Sequence, residues 1–158
     1  DLELMASSGA SVVHATTVFA RRGVALHSYQ KYLDAGINVC LGTDTYPMDL
    51  VMELRHAAYV CRVVEEDYAA AASRDVFNSV TLNAAKALGR DDIGRLAPGA
   101  KADIVTLDFN KIAVGPYIDP VRALVNCGSG RDVDTVDKIR CATFCCRRIS
   151  SGCRSGRR

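Results

Sequence analysis

Ala35-Gly36-Ile37-Asn38-Val39-Cys40-Leu41-Gly42-Thr43-Asp44-Thr45 holds an apolar strand core that ends at a glycine and is followed at once by a carboxylate. A strand apolar at successive positions is buried on both faces, as in a parallel sheet covered by helices. In such sheets chemistry gathers at the carboxyl ends of the strands, which is where Asp44 stands. Burying a carboxylate is costly unless it meets a metal, a cation or several hydrogen-bond donors. Two readings of Asp44 stay open on pattern alone: a functional group at a strand end, or a cap for a helix beginning near Pro47.

Working outward from this run, Ser28–Ala35 suits a helix, with Ser28 as N-cap and Gly36 just past its end. Before it, Ala10–His14 reads as a short buried strand with a histidine at its C-terminal end. Residues 15–26 read as a loop around Arg21-Arg22-Gly23, and residues 1–9 as a helix stopping near Gly9. Strand, helix, strand is the unit of a parallel α/β sheet. If the sheet is parallel, His14 faces the same opening as Asp44, although a lone histidine is more often a satisfied structural residue. His27 and His56 read as surface residues.

Downstream, Pro47 suits a first helical turn. Leu50, Val51, Leu54, Ala57, Ala58, Cys61 and Val64 then keep a 3.6-residue period. Ser73–Leu88 predicts two consecutive helical pieces, with Ser73 and Thr81 as N-caps and Gly89 as the stop. The character changes near residue 90, where Gly94, Pro98 and Gly99 punctuate the chain. Ala102–Leu107, Val121–Val125 and Val133–Ile139 then read as short strands of a β layer. The acidic groups Glu65-Glu66-Asp67 and Asp91-Asp92 read as solvated, and Gly128-Ser129-Gly130 as a turn.

The 158 residues carry a net charge of +2 that hides an asymmetry. Residues 1–137 hold 13 Lys and Arg against 18 Asp and Glu, whereas residues 138–158 hold seven basic residues and no acid. The basic tail has few interleaved aromatics and no nucleic-acid module, so no nucleic-acid partner is expected. No run of about 18 apolar residues occurs, which argues against a membrane partner. Of the seven cysteines, Cys40, Cys61 and Cys127 lie singly and read as reduced and buried, consistent with a cytoplasmic setting. Cys141, Cys145, Cys146 and Cys153 crowd the tail without a zinc-binding spacing.

Gly42-Thr43-Asp44, Thr81-Leu82-Asn83-Ala84-Ala85-Lys86-Ala87-Leu88-Gly89 and Ile93-Gly94-Arg95-Leu96-Ala97-Pro98-Gly99-Ala100-Lys101-Ala102-Asp103-Ile104-Val105 together resemble the amidohydrolase superfamily. Within it they are similar to the branch of cytosine, guanine and adenosylhomocysteine deaminases and triazine chlorohydrolases. The resemblance spans roughly residues 9–136. It implies an α/β fold: the C-terminal part of a (β/α)8 metal-dependent hydrolase barrel over residues 1–90, and part of a small β-sandwich over residues 91–136. It implies a divalent metal, zinc or alternatively iron, and hydrolysis of a C–N or C–Cl bond of a nitrogen-containing ring by a metal-activated water. Asp44 then matches the family's last-strand carboxylate, metal ligand and proton acceptor in one. His14 matches a strand-end histidine on the substrate side, although Ala15-Thr16-Thr17 departs from the family's H-x-P-x-S/N pattern.

The family's His-x-His pair is absent from this sequence. The chain is therefore expected to be a fragment, inactive by itself, of a homo-oligomeric enzyme acting on a small molecule. Two alternatives are a non-catalytic scaffold of the same fold and a truncated pseudogene product. Residues 137–158 depart from the family's usual ending and are expected to be non-native or disordered.

Overall fold

The computed structural model describes residues 1–25, 28–111, 115 and 117–138; His27 and the tail from residue 139 onward lie outside it, and with them the expectations placed there. Helix α1 (Leu2–Ser8) ends at Gly9, whose φ of 69° turns the chain into strand β1 (Ser11–His14). Helix α2 (Thr16–Ala20) follows where a loop was expected. Its Thr16 and Thr17 are buried and find partners in neighbouring elements, so tertiary bonding overrides the weak helix propensity of threonine. Helix α3 (Tyr29–Asp34) starts under the expected Ser28 cap, whose side chain accepts the Lys31 N–H. Strand β2 (Asn38–Leu41) then pairs parallel with β1, Ser11 opposite Asn38 and His14 opposite Leu41.

Helix α4 (Leu50–Glu65) begins later than Pro47 suggested. Asp49 is its cap and accepts the Met52 N–H at 3.0 Å, so Pro47 lies in the preceding loop. Helices α5 (Ser73–Asn78) and α6 (Leu82–Ala87) are the two expected pieces. Thr81 holds the predicted N-cap position of α6, but its hydroxyl donates back to the Phe77 carbonyl at 3.0 Å, and Ser73 is already helical behind Ala72. Strand β3 (Asp103–Leu107) pairs antiparallel with β4 (Val133–Lys138) in a separate sheet. Between them lies helix α7 (Pro120–Cys127), where Val121–Val125 had predicted a strand. The reason is local. Asp119 accepts from the N–H groups of Val121 and Arg122, and Pro120 occupies a first-turn position, a combination that starts a helix whatever β-branched residues follow.

Among the described residues the parallel sheet has two strands, and so does the antiparallel one. The core gathers Tyr29, Val39, Leu41, Leu54, Ala57, Ala58, Cys61, Val76, Leu124 and Val125, so one hydrophobic nucleus joins β2, α3, α4, α5 and α7. Leu54, Val39 and Val76 are at most 2% exposed, each contributing roughly 1.5–3 kcal/mol by burial. Cys40 and Cys61 are buried as expected, whereas Cys127, at the end of α7, is exposed.

Candidate functional site at the strand ends

The ladder of the parallel pair runs one residue past β2, because the Gly42 N–H donates to the His14 carbonyl at 3.1 Å. A Cβ at Gly42 would stand 2.9 Å from Val13 Cγ1, so a larger residue here would require the Val13 side chain to move. Two residues on, Thr45 N–H donates back to the Thr43 carbonyl at 2.6 Å, a three-residue turn centred on Asp44. Asp44 takes φ 55°, the left-handed region that non-glycine residues rarely enter. Its side chain is exposed and makes no hydrogen bond to any described residue. Helix α4 is capped by Asp49 instead, which removes the capping reading of Asp44.

His14 lies at the neighbouring strand end but is turned into the helices. The residue is 4% exposed, its ring making edge contacts to Tyr29 and Tyr32 at centroid distances of 6.3 and 6.1 Å. Its Nδ1 lies 2.9 Å from the Thr16 hydroxyl. With Ser28, Cys61 and Val64 it lines a small, partly open cavity of about 10 Å³. No described contact joins His14 to Asp44. Burial pushes the Cys61 and Cys40 thiols up, away from thiolate chemistry, and pushes the Tyr29 phenol up to about 12 despite its hydrogen bond to Ser79.

A second polar group at this end was not foreseen. Glu53, only 1% exposed, accepts the Thr17 N–H at 3.0 Å and the Thr17 hydroxyl as well. The same hydroxyl lies 2.7 Å from His56 Nδ1, so His56 is half-buried and partnered rather than a surface residue. The signal in the sequence was an acid on the apolar stripe of α4, three residues after Leu50 and four before Ala57. Of the acidic pair at 91–92, Asp91 is exposed as expected, whereas Asp92 is half-buried and ion-paired. Asp92 is gripped by Arg90 and by Lys101, which hold its carboxyl well below the usual carboxylate range.

Among the described residues no three His, Cys, Asp or Glu side chains converge where they could hold a metal ion. Asp44 offers one hard oxygen donor in open surroundings, which suits a single ligand position and does not make a metal centre. No described helix is long and apolar enough to cross a membrane.

Residues 1–138 match the model of the Amidohydrolase family. The chain is 33% identical over 140 residues to a 5-methylthioadenosine/S-adenosylhomocysteine deaminase of Pyrococcus abyssi, covering 86% of this chain and 33% of that protein. It superposes on an adenosine deaminase from Xanthomonas campestris with bound zinc at TM-score 0.81 and 26% identity, covering 87% of this chain and 32% of that one. An atrazine chlorohydrolase from Arthrobacter aurescens complexed with zinc superposes at TM-score 0.73 and 26% identity, over 85% of this chain and 31% of that one. The chain thus spans about a third of the length of the relatives it matches.

Proposed function

The chain belongs to the amidohydrolase family, and on that footing we propose that it is the part of a metal-dependent hydrolase that carries the last-strand carboxylate of the active site. The parallel pair β1–β2 is read as the end of the (β/α)8 barrel, and the β3–β4 sheet as part of the small β-sandwich. The reaction proposed is hydrolysis of a C–N or C–Cl bond on a nitrogen-containing ring, the chemistry named for deaminase and chlorohydrolase relatives. Deamination and dechlorination share an attacking hydroxide, so one site arrangement serves both.

The observation that carries this reading is the state of Asp44. A carboxylate held at positive φ, capping nothing and bonded to nothing described, is strained without local return, which is the pattern of functional positions. Its place just past a parallel strand is where barrels keep their chemistry. A divalent ion, zinc as in the two solved neighbours, makes a bound water acidic enough to attack near neutral pH. Asp44 would be one ligand, the remaining ligands coming from outside the described residues, and would take a proton from the attacking water for the leaving group. His14 is proposed on the substrate side as part of the wall. Its ring, packed on Tyr29 and Tyr32, supports a shaping role over direct contact. Buried, unpaired Cys40 and Cys61 support the cytoplasmic setting.

A chimera tests the proposal. Residues 1–138 replace the matching third of the Pyrococcus abyssi deaminase, and ammonia release from S-adenosylhomocysteine is measured. Activity is expected, with Asp44→Asn lowering kcat at least 100-fold while bound zinc is retained at reduced affinity. A folded, zinc-loaded chimera that is inactive with Asp44 intact overturns the reading.

A further inference from the structure

Glu53, a residue only 1% exposed, interrupts the apolar face of α4 with a carboxylate. An ionised group so placed is tolerated only when donors replace its water. Thr17 supplies two: its N–H to Oε1 at 3.0 Å and its hydroxyl to Oε2. A hydroxyl has one proton and two lone pairs. With that proton committed to Glu53, the Thr17 oxygen can only accept from His56 Nδ1, 2.7 Å away. The proton order of three side chains is thereby determined, and it runs from the imidazole through the hydroxyl to the carboxylate.

We propose that Glu53 is a positioning residue: through Thr17 it clamps the segment following His14 onto the helix following Asp44, and holds His56 as the Nδ1–H tautomer with its lone pair on Nε2. The arrangement is that of an oriented base, in which the hydrogen bond made by one ring nitrogen decides what the other can do. His56 thus presents a hydrogen-bond acceptor, suited to an amino or hydroxyl donor. The clamp also joins the two strand-end segments that bear the site. The purpose of the clamp rests on the function proposed above, whereas the proton order does not.

Long-range ¹H–¹⁵N correlation of the imidazoles of the labelled 158-residue chain at pH 8 tests it, with His56 assigned by comparison with His56→Gln. The wild type is expected to show His56 protonated on Nδ1 and bare on Nε2. In Glu53→Gln the amide oxygen can still accept the Thr17 N–H, but the amide NH₂ now faces the hydroxyl. The hydroxyl must then donate to His56, and the tautomer is expected to switch to Nε2–H. Thr17→Ser keeps both groups and is expected to keep the wild-type spectrum. A wild-type spectrum with Nε2 protonated, alone or together with Nδ1, overturns the proposal, even if Glu53→Gln does not fold. An unchanged tautomer in a folded Glu53→Gln overturns the part assigned to Glu53. Because the spectrum is read without turnover, an inactive chimera leaves this result intact.

Discussion

Asp44 holds a left-handed backbone conformation that its own side chain does nothing local to stabilise. Gly42-Thr43-Asp44 announced a carboxylate at a strand end, but the local pattern has no sign for the sense of φ, and so by itself it left cap and functional group equally open. Entering that region costs a non-glycine residue about 1–2 kcal/mol, partly relieved for Asp. Asp44→Gly removes the strain at some cost in chain entropy. The variant is therefore expected to be more stable than the wild type by about 0.5–1 kcal/mol in urea unfolding, while the corresponding chimera loses activity. A destabilised Asp44→Gly would show that the carboxylate has a structural partner. Glu53 and His56 were legible only in part. Glu53 breaks the periodicity of α4 visibly, whereas its partner Thr17 lies 36 residues away and nothing local links the two.

At the scale of elements, patterns carried entirely by near neighbours were readable, and those decided by distant ones were not. The Ser28 cap, the long period of α4 and the stop at Gly89 are local, and all three appear as expected. Helix α2 depends on partners for its threonines, and α7 was missed because its β-branched run was weighed above the Asp119-Pro120 start signal. Asp49 shows a cap with a second duty. One carboxylate oxygen accepts the Met52 N–H, and the other accepts the Gly130 N–H at 2.9 Å from the turn before β4. Arg55 reinforces the junction by donating to the Gly128 carbonyl at 2.6 Å. Losing a cap costs about 1 kcal/mol, and losing a further hydrogen bond a similar amount. Asp49→Ala is thus expected to destabilise by about 2 kcal/mol and Asp119→Ala by about 1 kcal/mol. Faster amide exchange at Gly130 should appear in Asp49→Ala alone, and equal losses in the two variants would refute the bridging role.

Over the whole molecule, the parallel β-α-β unit was legible from hydrophobic pattern, and the antiparallel pair from its turn residues. The place of α7 in the core was not, because Leu124 and Val125 reach α4 and α5 from a segment that had been read as sheet. The described surface also carries large apolar side chains, among them Val13 at 65%, Leu4 at 73% and Met48 at 87% exposed. Each described sheet has two strands, so each has open edges that can pair with another chain. The isolated chain is expected to self-associate at micromolar concentration in sedimentation velocity. Val13→Lys, on β1 of the parallel pair, should shift it towards monomer, and a wild type monomeric at 100 μM would contradict this. The bridge from α4 to the turn at Gly128 and Gly130 has a further consequence, one of timing. Its two hydrogen bonds span 73 and 81 residues. A ribosome adding about 5–20 residues per second finishes α4 several seconds before either glycine exists. Newborn α4 must wait with Asp49 and Arg55 unanswered until the turn that carries Gly128 and Gly130 has been made.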